Sequence, residues 1–260
     1  MKNNEKIGVG IVTYNSEDYF KTLYDSLNGA NIDELVVVNG GERYKNNYEC
    51  DWIQHNKNYY PATCRNDCIT HLMNRNVDYL FLIEDDQIIK NVNIFQKYIE
   101  ASKISGLGYF SFVSMSQDTG GPNNRTPRLT VDYGNNVAVS FYQNMCNEFV
   151  FFQSSIIKKI GLYDSTFRDP FDLDMTVRLV KEIENVSPFW YFADIHNSDE
   201  YIQNNPNSVS RLQSDRPDGS RSERIQEQFE LFHQKHNFHV NQIPDTTQED
   251  FVNHLKKIKP

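Results

Sequence analysis

Residues 78–87, Asp-Tyr-Leu-Phe-Leu-Ile-Glu-Asp-Asp-Gln, constrain this chain more than any other stretch. Residues 79–83 form an unbroken apolar run of strand length, and unbroken rather than alternating apolarity is what a strand buried on both faces requires. The run leads straight into Glu84, Asp85 and Asp86. Three carboxylates at one strand end repel one another. A hard divalent cation such as Mg2+ or Mn2+, which prefers oxygen ligands and bridges readily to phosphates, would relieve that repulsion. The plain alternative is a charged turn that follows a core strand.

A chain of 260 residues can bury a substantial core, as one large α/β domain or two small ones, and one domain is the expectation. The aromatic content of 13% argues against general disorder. A net charge of −9 excludes long-range attraction to nucleic acid or anionic lipid, leaving only local basic patches for such contacts. No apolar run approaches the roughly 20 residues that span a bilayer. Residues 1–6 are polar and lead into a strand instead of a signal-peptide core, so a cytoplasmic protein is expected. Cys50, Cys64, Cys68 and Cys146 contain no C-x-x-C pair, and no histidine lies at zinc-ligand spacing from them, which reads as reduced structural thiols.

Along the chain, strands alternate with helices. Residues 7–15 read as a strand ending in a polar turn, and Ser16 stands where it would cap a helix through Leu27, with Glu17 and Asp18 in the first turn. Residues 34–38 form a second strand closed by Asn39-Gly40-Gly41, and residues 51–54 a short third. Pro61 suits the first turn of a helix carrying Arg65, Asn66, Ile69 and Leu72 into the central strand. This order predicts a parallel sheet whose ligands gather at the carboxyl ends of its strands, where Thr13, Asn39, Asp85 and Asp86 fall.

The second half is less regular. Expected there are a helix over 92–102, a strand over 108–115 and a polar loop over 117–124. Strands over 137–142 and 148–153 follow, then a helix from 154 or 155 to 160 ended by Gly161. Residues 172–183 have helical spacing, and residues 190–193 read as a strand. A long polar segment over 199–224 suggests a mobile loop before a helix over 222–236, which would turn Ile225, Phe229 and Phe232 toward a core.

The order of residues 7–15, 34–41, Arg65-Asn66, Glu84-Asp85-Asp86 and the segment from Phe171-Asp172-Leu173-Asp174 to Arg178 resembles the GT-A glycosyltransferases of family 2 over roughly residues 6–200. The resemblance implies an α/β GT-A fold, a Rossmann-like mixed sheet flanked by helices. It implies a nucleotide-sugar-binding half over 1–105 and an acceptor-binding half over 106–200, with 201–260 a mobile loop and C-terminal helical extension. The implied activity is inverting transfer from a nucleotide sugar, commonly UDP-linked, with Mn2+ or Mg2+ on the diphosphate. Thr13, Tyr14 and Asn39 would contact the nucleoside, Arg65 would approach the base or diphosphate, Asp85 would hold the ribose, and Asp86 would ligate the metal. Asn39 replaces the family's usual Asp, and Phe171 replaces a Glu that usually precedes the general base, for which Asp172 is the candidate. His196 is a candidate further metal ligand.

Plain readings stand beside these assignments. Asp172 and Asp174 also suit a helix N-terminus, Arg178 at i+4 suits a salt bridge to Asp174, and His196 suits a structural role. His233, His236 and His239 read as surface or packing residues. Residues 208–224, with Arg211, Arg216, Arg221 and Arg224, suit either a lid over diphosphate or a solvated basic loop. The expected partner is a glycan or glycolipid acceptor, with docking at the inner face of a membrane compatible with the composition. Alternatives are the same fold acting on a protein or a modified nucleic-acid base, a nucleotidyltransferase, which residues 13–16 disfavour because they offer no Gly-rich phosphate loop, and a nucleotide- or sugar-binding protein without turnover.

Overall fold

The computed structural model describes residues 5–112, 127, 129–142, 148–168, 171–183, 192–207, 221–238 and 248–258. Its centre is a six-stranded sheet ordered β3-β2-β1-β4-β9-β6, made of β1 (Ile7–Thr13), β2 (Glu34–Asn39), β3 (Asp51–Gln54), β4 (Tyr79–Glu84), β6 (Tyr109–Ser111) and β9 (Phe149–Gln153). The first four strands are mutually parallel, whereas β9 runs antiparallel between β4 and β6. The sheet is therefore mixed, as the GT-A resemblance implies, and parallel only over the first four strands, where strands and helices alternate. A three-stranded antiparallel sheet joins β7 (Leu129–Asp132), β8 (Ala138–Tyr142) and β10 (Phe192–Ile195), and a ribbon pairs β5 (Gln87–Ile89) with β11 (Ile202–Asn204). The strand expected over 108–115 is seen through Ser111, with 113–115 and the loop over 117–124 outside the described residues.

Helices cover both faces of the large sheet, and side-chain alternation divides the core between them. Tyr79, Phe81 and Ile83 of β4 and Phe149 and Phe151 of β9 pack with α1 (Glu17–Ser26), α3 (Ile94–Ser105) and the second sheet. Leu80, Leu82, Val150 and Phe152 pack on the opposite face with α2 (Tyr60–Asn74), α4 (Ser154–Ile160) and α5 (Phe171–Glu182). Every residue of the 79–83 run is at most 7% exposed, as a strand with both faces covered demands.

In β1 the alternation runs Ile7, Val9, Ile11 toward one core and Gly8, Gly10 toward α2. A Cβ at Gly10 would lie 2.6 Å from the Cys68 Cβ, and one at Gly8 would lie 2.8 Å from a Leu72 methyl. The glycines thus set how closely α2 approaches the sheet. Ser16 stands at the start of α1 as expected, but its Oγ donates to the Tyr14 carbonyl at 2.7 Å and caps nothing. Gly161 ends α4 with φ of 80°, a conformation that favours glycine.

The C-terminal part of the chain is packed into these layers. Helix α6 (Arg221–His236) buries Phe232 in the core beneath α2 and α5, and α7 (Gln248–Leu255) buries Leu255 against the opposite core. From α6, Gln228 accepts the Arg168 backbone N–H at 2.7 Å, and Lys235 pairs with Asp164 at 2.7 Å. Of the supposed lid, 208–220 lie outside the described residues and Arg221 and Arg224 fall within the helix; His239 also lies outside. Cys50, Cys64 and Cys68 are free thiols, and Cys146 lies outside the described residues.

Two predictions follow from this packing. Gly10→Ala drives a methyl into Cys68 and should destabilise the fold by about 1–3 kcal/mol, read as a lower urea midpoint. The His236 imidazole is held below its usual value of 6.5, chiefly by burial and against the pull of Asp174. Between that folded value and 6.5 the unfolded chain binds more protons, so stability falls as the pH drops through this window. Denaturation midpoints taken across it should show the decline in the wild type and a flatter profile in His236→Phe.

Candidate active site

Parallel pairing aligns the carboxyl ends of the strands. Thr13 is in register with Asn39, Asn39 with Gln54, and Val12 with Glu84. Strand β4 stops at Glu84 and β5 starts at Gln87, leaving Asp85 and Asp86 as the turn between them. The ribbon braces that turn, since the Asn205 N–H donates to the Asp86 carbonyl at 2.6 Å.

Asp85 is buried, at 8% exposure, and its Oδ2 accepts the Thr13 hydroxyl at 2.6 Å and the Tyr14 N–H at 3.4 Å. The Thr13 hydroxyl also meets that of Tyr44, whose oxygen accepts the Ser16 N–H at 3.0 Å. One carboxylate oxygen is thereby fixed to the end of β1. Tyr14 presents its ring at the same edge and is 42% exposed.

Asn39 is fully buried and its amide closes its own turn. Its Nδ2 donates to the Glu42 carbonyl at 2.7 Å, and its Oδ1 accepts the Gly41 N–H at 2.8 Å. A side chain so committed shapes the Gly40-Gly41 loop at the strand end.

Asp86 is paired with Gln87, a fully buried residue whose Nε2 lies 3.2 Å from Asp86 Oδ1 and 3.4 Å from Glu148 Oε2. Beneath the acids lies Arg65, whose side chain is 1% exposed and whose Nη2 donates to Glu84 Oε1 at 2.6 Å. Burial opposes charge on this guanidinium, but Tyr163, Asp172 and Glu84 outweigh it and hold its pKa above the usual arginine value. The Glu84 side chain keeps 36% of its surface open, yet burial of its carboxyl pushes the pKa up to about 8, with Asp86 and Glu148 adding to the rise and Arg65 opposing it.

Asp172 lies in the first turn of α5, close enough to Arg65, Tyr109 and Tyr163 to act on the charge of all three. Residues 65, 84 and 172 are far apart in the chain, and the fold brings their charges within reach of one another. Asp174, also in that turn, is paired with Arg178 at 3.0 Å, as its i+4 spacing predicts. His196 stands beyond β10 with its Nδ1 3.0 Å from Ser140 Oγ. Among the described residues no three His, Cys, Asp or Glu side chains converge as a ready ligand set.

No protein-family model matches the chain, and no curated protein matches it. Solved structures do. Residues 1–349 of S. aureus TarS, in complex with UDP-GlcNAc, superpose with a TM-score of 0.57 at 16% identity over 97% of this chain and 80% of that one. The mannosyltransferase PcManGT from Pyrobaculum calidifontis, in complex with GDP-Man and Mn2+, superposes with a TM-score of 0.55 at 10% identity over 96% and 68%. Against the longer TarS crystal structure the chain spans half of that chain's length, with a TM-score of 0.55 at 15% identity. The chain has the GT-A fold.

In the GT-A frame, the hard oxygen chemistry of Asp86, with Glu148 beside it, fits a Mg2+ or Mn2+ ion that takes one or two protein carboxylates and fills its shell from phosphate and water. Sequence reasoning missed Tyr44, Gln87, Glu148 and Tyr163. Gln87 had left a trace, a polar residue opening the apolar run Gln87-Ile88-Ile89 beside the acids. The others belong to separate segments that only folding brings to the GT-A edge. Arg65→Met leaves the partly exposed Glu84 carboxylate without its guanidinium and should cost about 1–3 kcal/mol in urea unfolding; an unchanged midpoint would refute the pairing.

Proposed function

We propose that this chain is an inverting glycosyltransferase that moves a sugar from a nucleotide sugar, a UDP-sugar in the first instance, to a hydroxyl of a glycan or glycolipid acceptor. The observation that carries the reading is the buried guanidinium of Arg65, which donates to Glu84 at the end of the central strand and lies within electrostatic reach of Asp172 at the start of α5. Inversion places the leaving diphosphate and the attacking hydroxyl on opposite sides of the sugar, so the groups that serve them must be held at a fixed separation. A buried cation between the two elements meets that requirement. The GT-A fold supports the reaction class. TarS with UDP-GlcNAc and PcManGT with GDP-Man and Mn2+ support a nucleotide-sugar donor and a divalent ion.

In this reading Asp85, fixed by Thr13 and the Tyr14 N–H, accepts from the ribose hydroxyls. Tyr14 offers its exposed ring to the nucleoside, and Asn39 takes part by shaping the Gly40-Gly41 turn that borders it. Asp86 holds the divalent ion, with His196 as the candidate further ligand. When bound, the ion supplies Lewis-acid stabilisation of the departing diphosphate. Asp172 accepts the acceptor's hydroxyl proton on its carboxylate, and the Arg65 charge supports that carboxylate from the interior. No helix among the described residues is long and apolar enough to cross a membrane. In this reading a lipid-linked acceptor is met by docking at the inner face of the membrane.

Thermal stabilisation by UDP, GDP and CDP, each with and without Mn2+, tests the donor. The largest Mn2+-dependent shift is expected with UDP and should vanish in Asp86→Ala; a metal-independent shift, or one unchanged in that variant, would sink the Asp86 assignment. Asp172→Asn should lower transfer by at least a hundredfold while leaving the UDP–Mn2+ shift intact. Full transfer by that variant would place the base elsewhere.

A further inference from the structure

The charge cluster on the far side of α5 is not used by this chemistry. Asp174 is completely buried, and three cationic or hydrogen-bonding side chains converge on it. Arg178 Nε reaches its Oδ2 at 3.0 Å from the same helix, while Lys235 Nζ and His236 Nε2 reach its Oδ1 at 2.6 Å and 3.0 Å from α6. Asp164 takes a second contact from Lys235, so two carboxylates face two permanent cations and the group is balanced without charging the imidazole. The cluster also reaches the backbone, because Arg178 Nη1 and Nη2 donate to the Ile160 and Leu162 carbonyls at 2.9 and 2.8 Å.

We infer that Asp174 is a positioning residue: through Lys235 and His236, helix α6 fixes the first turn of α5 and thereby the place of Asp172. The inference rests on the reading of Asp172 as the general base. Its physical basis is local. The first turn of a helix has the fewest backbone hydrogen bonds to hold it, and its N–H groups have no partner within the helix. Here that turn carries Asp172, and Asp174 two residues on is anchored to a different helix by a buried, charge-assisted contact. Aromatic packing of His236 against Phe232 and Phe238, and of Lys235 over Phe167, seats both anchoring side chains. A base displaced by about an ångström loses most of its advantage, so a clamp on the neighbouring turn bears on rate more than on donor affinity.

The test is the full chain carrying Lys235→Met and His236→Phe, which removes both anchors from α6 and keeps its apolar packing. Amide hydrogen exchange should accelerate at least tenfold at residues 175–178, the first amides bonded within α5, and stay unchanged in β1 and β4. Transfer should lose tenfold or more in kcat with the donor KM within twofold of the wild type, and the UDP–Mn2+ thermal shift should persist. His236→Gln, which restores a donor at the ring position, should recover part of the rate lost in His236→Phe. A folded double variant with unchanged exchange in α5 and unchanged kcat overturns the inference. Exchange that accelerates uniformly across the sheet, with kcat falling only as the folded fraction falls, overturns it as well, since the contact would then be merely structural. If the double variant does not fold, His236→Phe alone is read by the same measurements. Full transfer by Asp172→Asn would defeat the reading of Asp172, whereas the exchange at 175–178 still decides whether α6 controls this turn.

Discussion

A guanidinium removed from water must be neutralised where it lies, and much of this molecule is arranged around meeting that demand at Arg65. Its helix, α2, is pressed against the sheet because Gly8 and Gly10 of β1 present no side chain to it. Its charge is met by Glu84 at the tip of the most deeply buried strand and by Asp172 at the start of α5. The group joins three segments far apart in the chain, and truncating Glu84 removes the hydrogen-bonded partner of a buried guanidinium. Buried ion pairs add little net stability. Their consequence here is geometric, because the guanidinium holds the strand end through a directional contact with Glu84.

The acids at the carboxyl edge divide their work by environment. Asp85 is drawn inward by Thr13, with Tyr44 behind it, and its geometry is fixed in advance of any ligand. Asp86 sits at the turn into the β5–β11 ribbon, steadied by Gln87 and neighboured by Glu148. Glu84 faces both Asp86 and Arg65, and burial keeps its carboxyl easier to protonate than an ordinary glutamate. Three consecutive residues thus occupy three electrostatic settings. Strand pleat and turn send their side chains to different neighbours, so proximity in sequence does not make them equivalent.

The C-terminal segment belongs to the same mechanical unit. Phe232 and Leu255 enter the two cores, and Gln228, Lys235 and His236 fasten α6 to residues 164–174. An extension reading follows from the polar stretch that precedes α6, since polar composition reports where chain is solvated and says nothing about where the next helix docks. Helix α7 and strands β5, β7 and β11 likewise leave no clear pattern in the sequence. Short elements carry too few residues for a period to emerge, and β5 and β11 exist because each is the other's partner.

What residue order alone determined was the local and the periodic: the doubly buried central strand, the βα alternation that makes the first four strands parallel, the stop at Gly161, the Asp174–Arg178 spacing, and the crowding of carboxylates at one strand end. These depend on neighbours within a few positions, where backbone sterics and side-chain period act. Tertiary structure alone decided that β9 enters antiparallel, that Asn39 turns its amide into its own loop, that Glu148 and Tyr44 stand beside the acids, and that Arg65 meets Glu84 within reach of the Asp172 charge. Each is an approach across 19 or more positions or a choice between equally polar surroundings. Such choices are settled by which surfaces fit and which charges must be matched once water has been excluded, and a one-dimensional pattern carries no record of that competition.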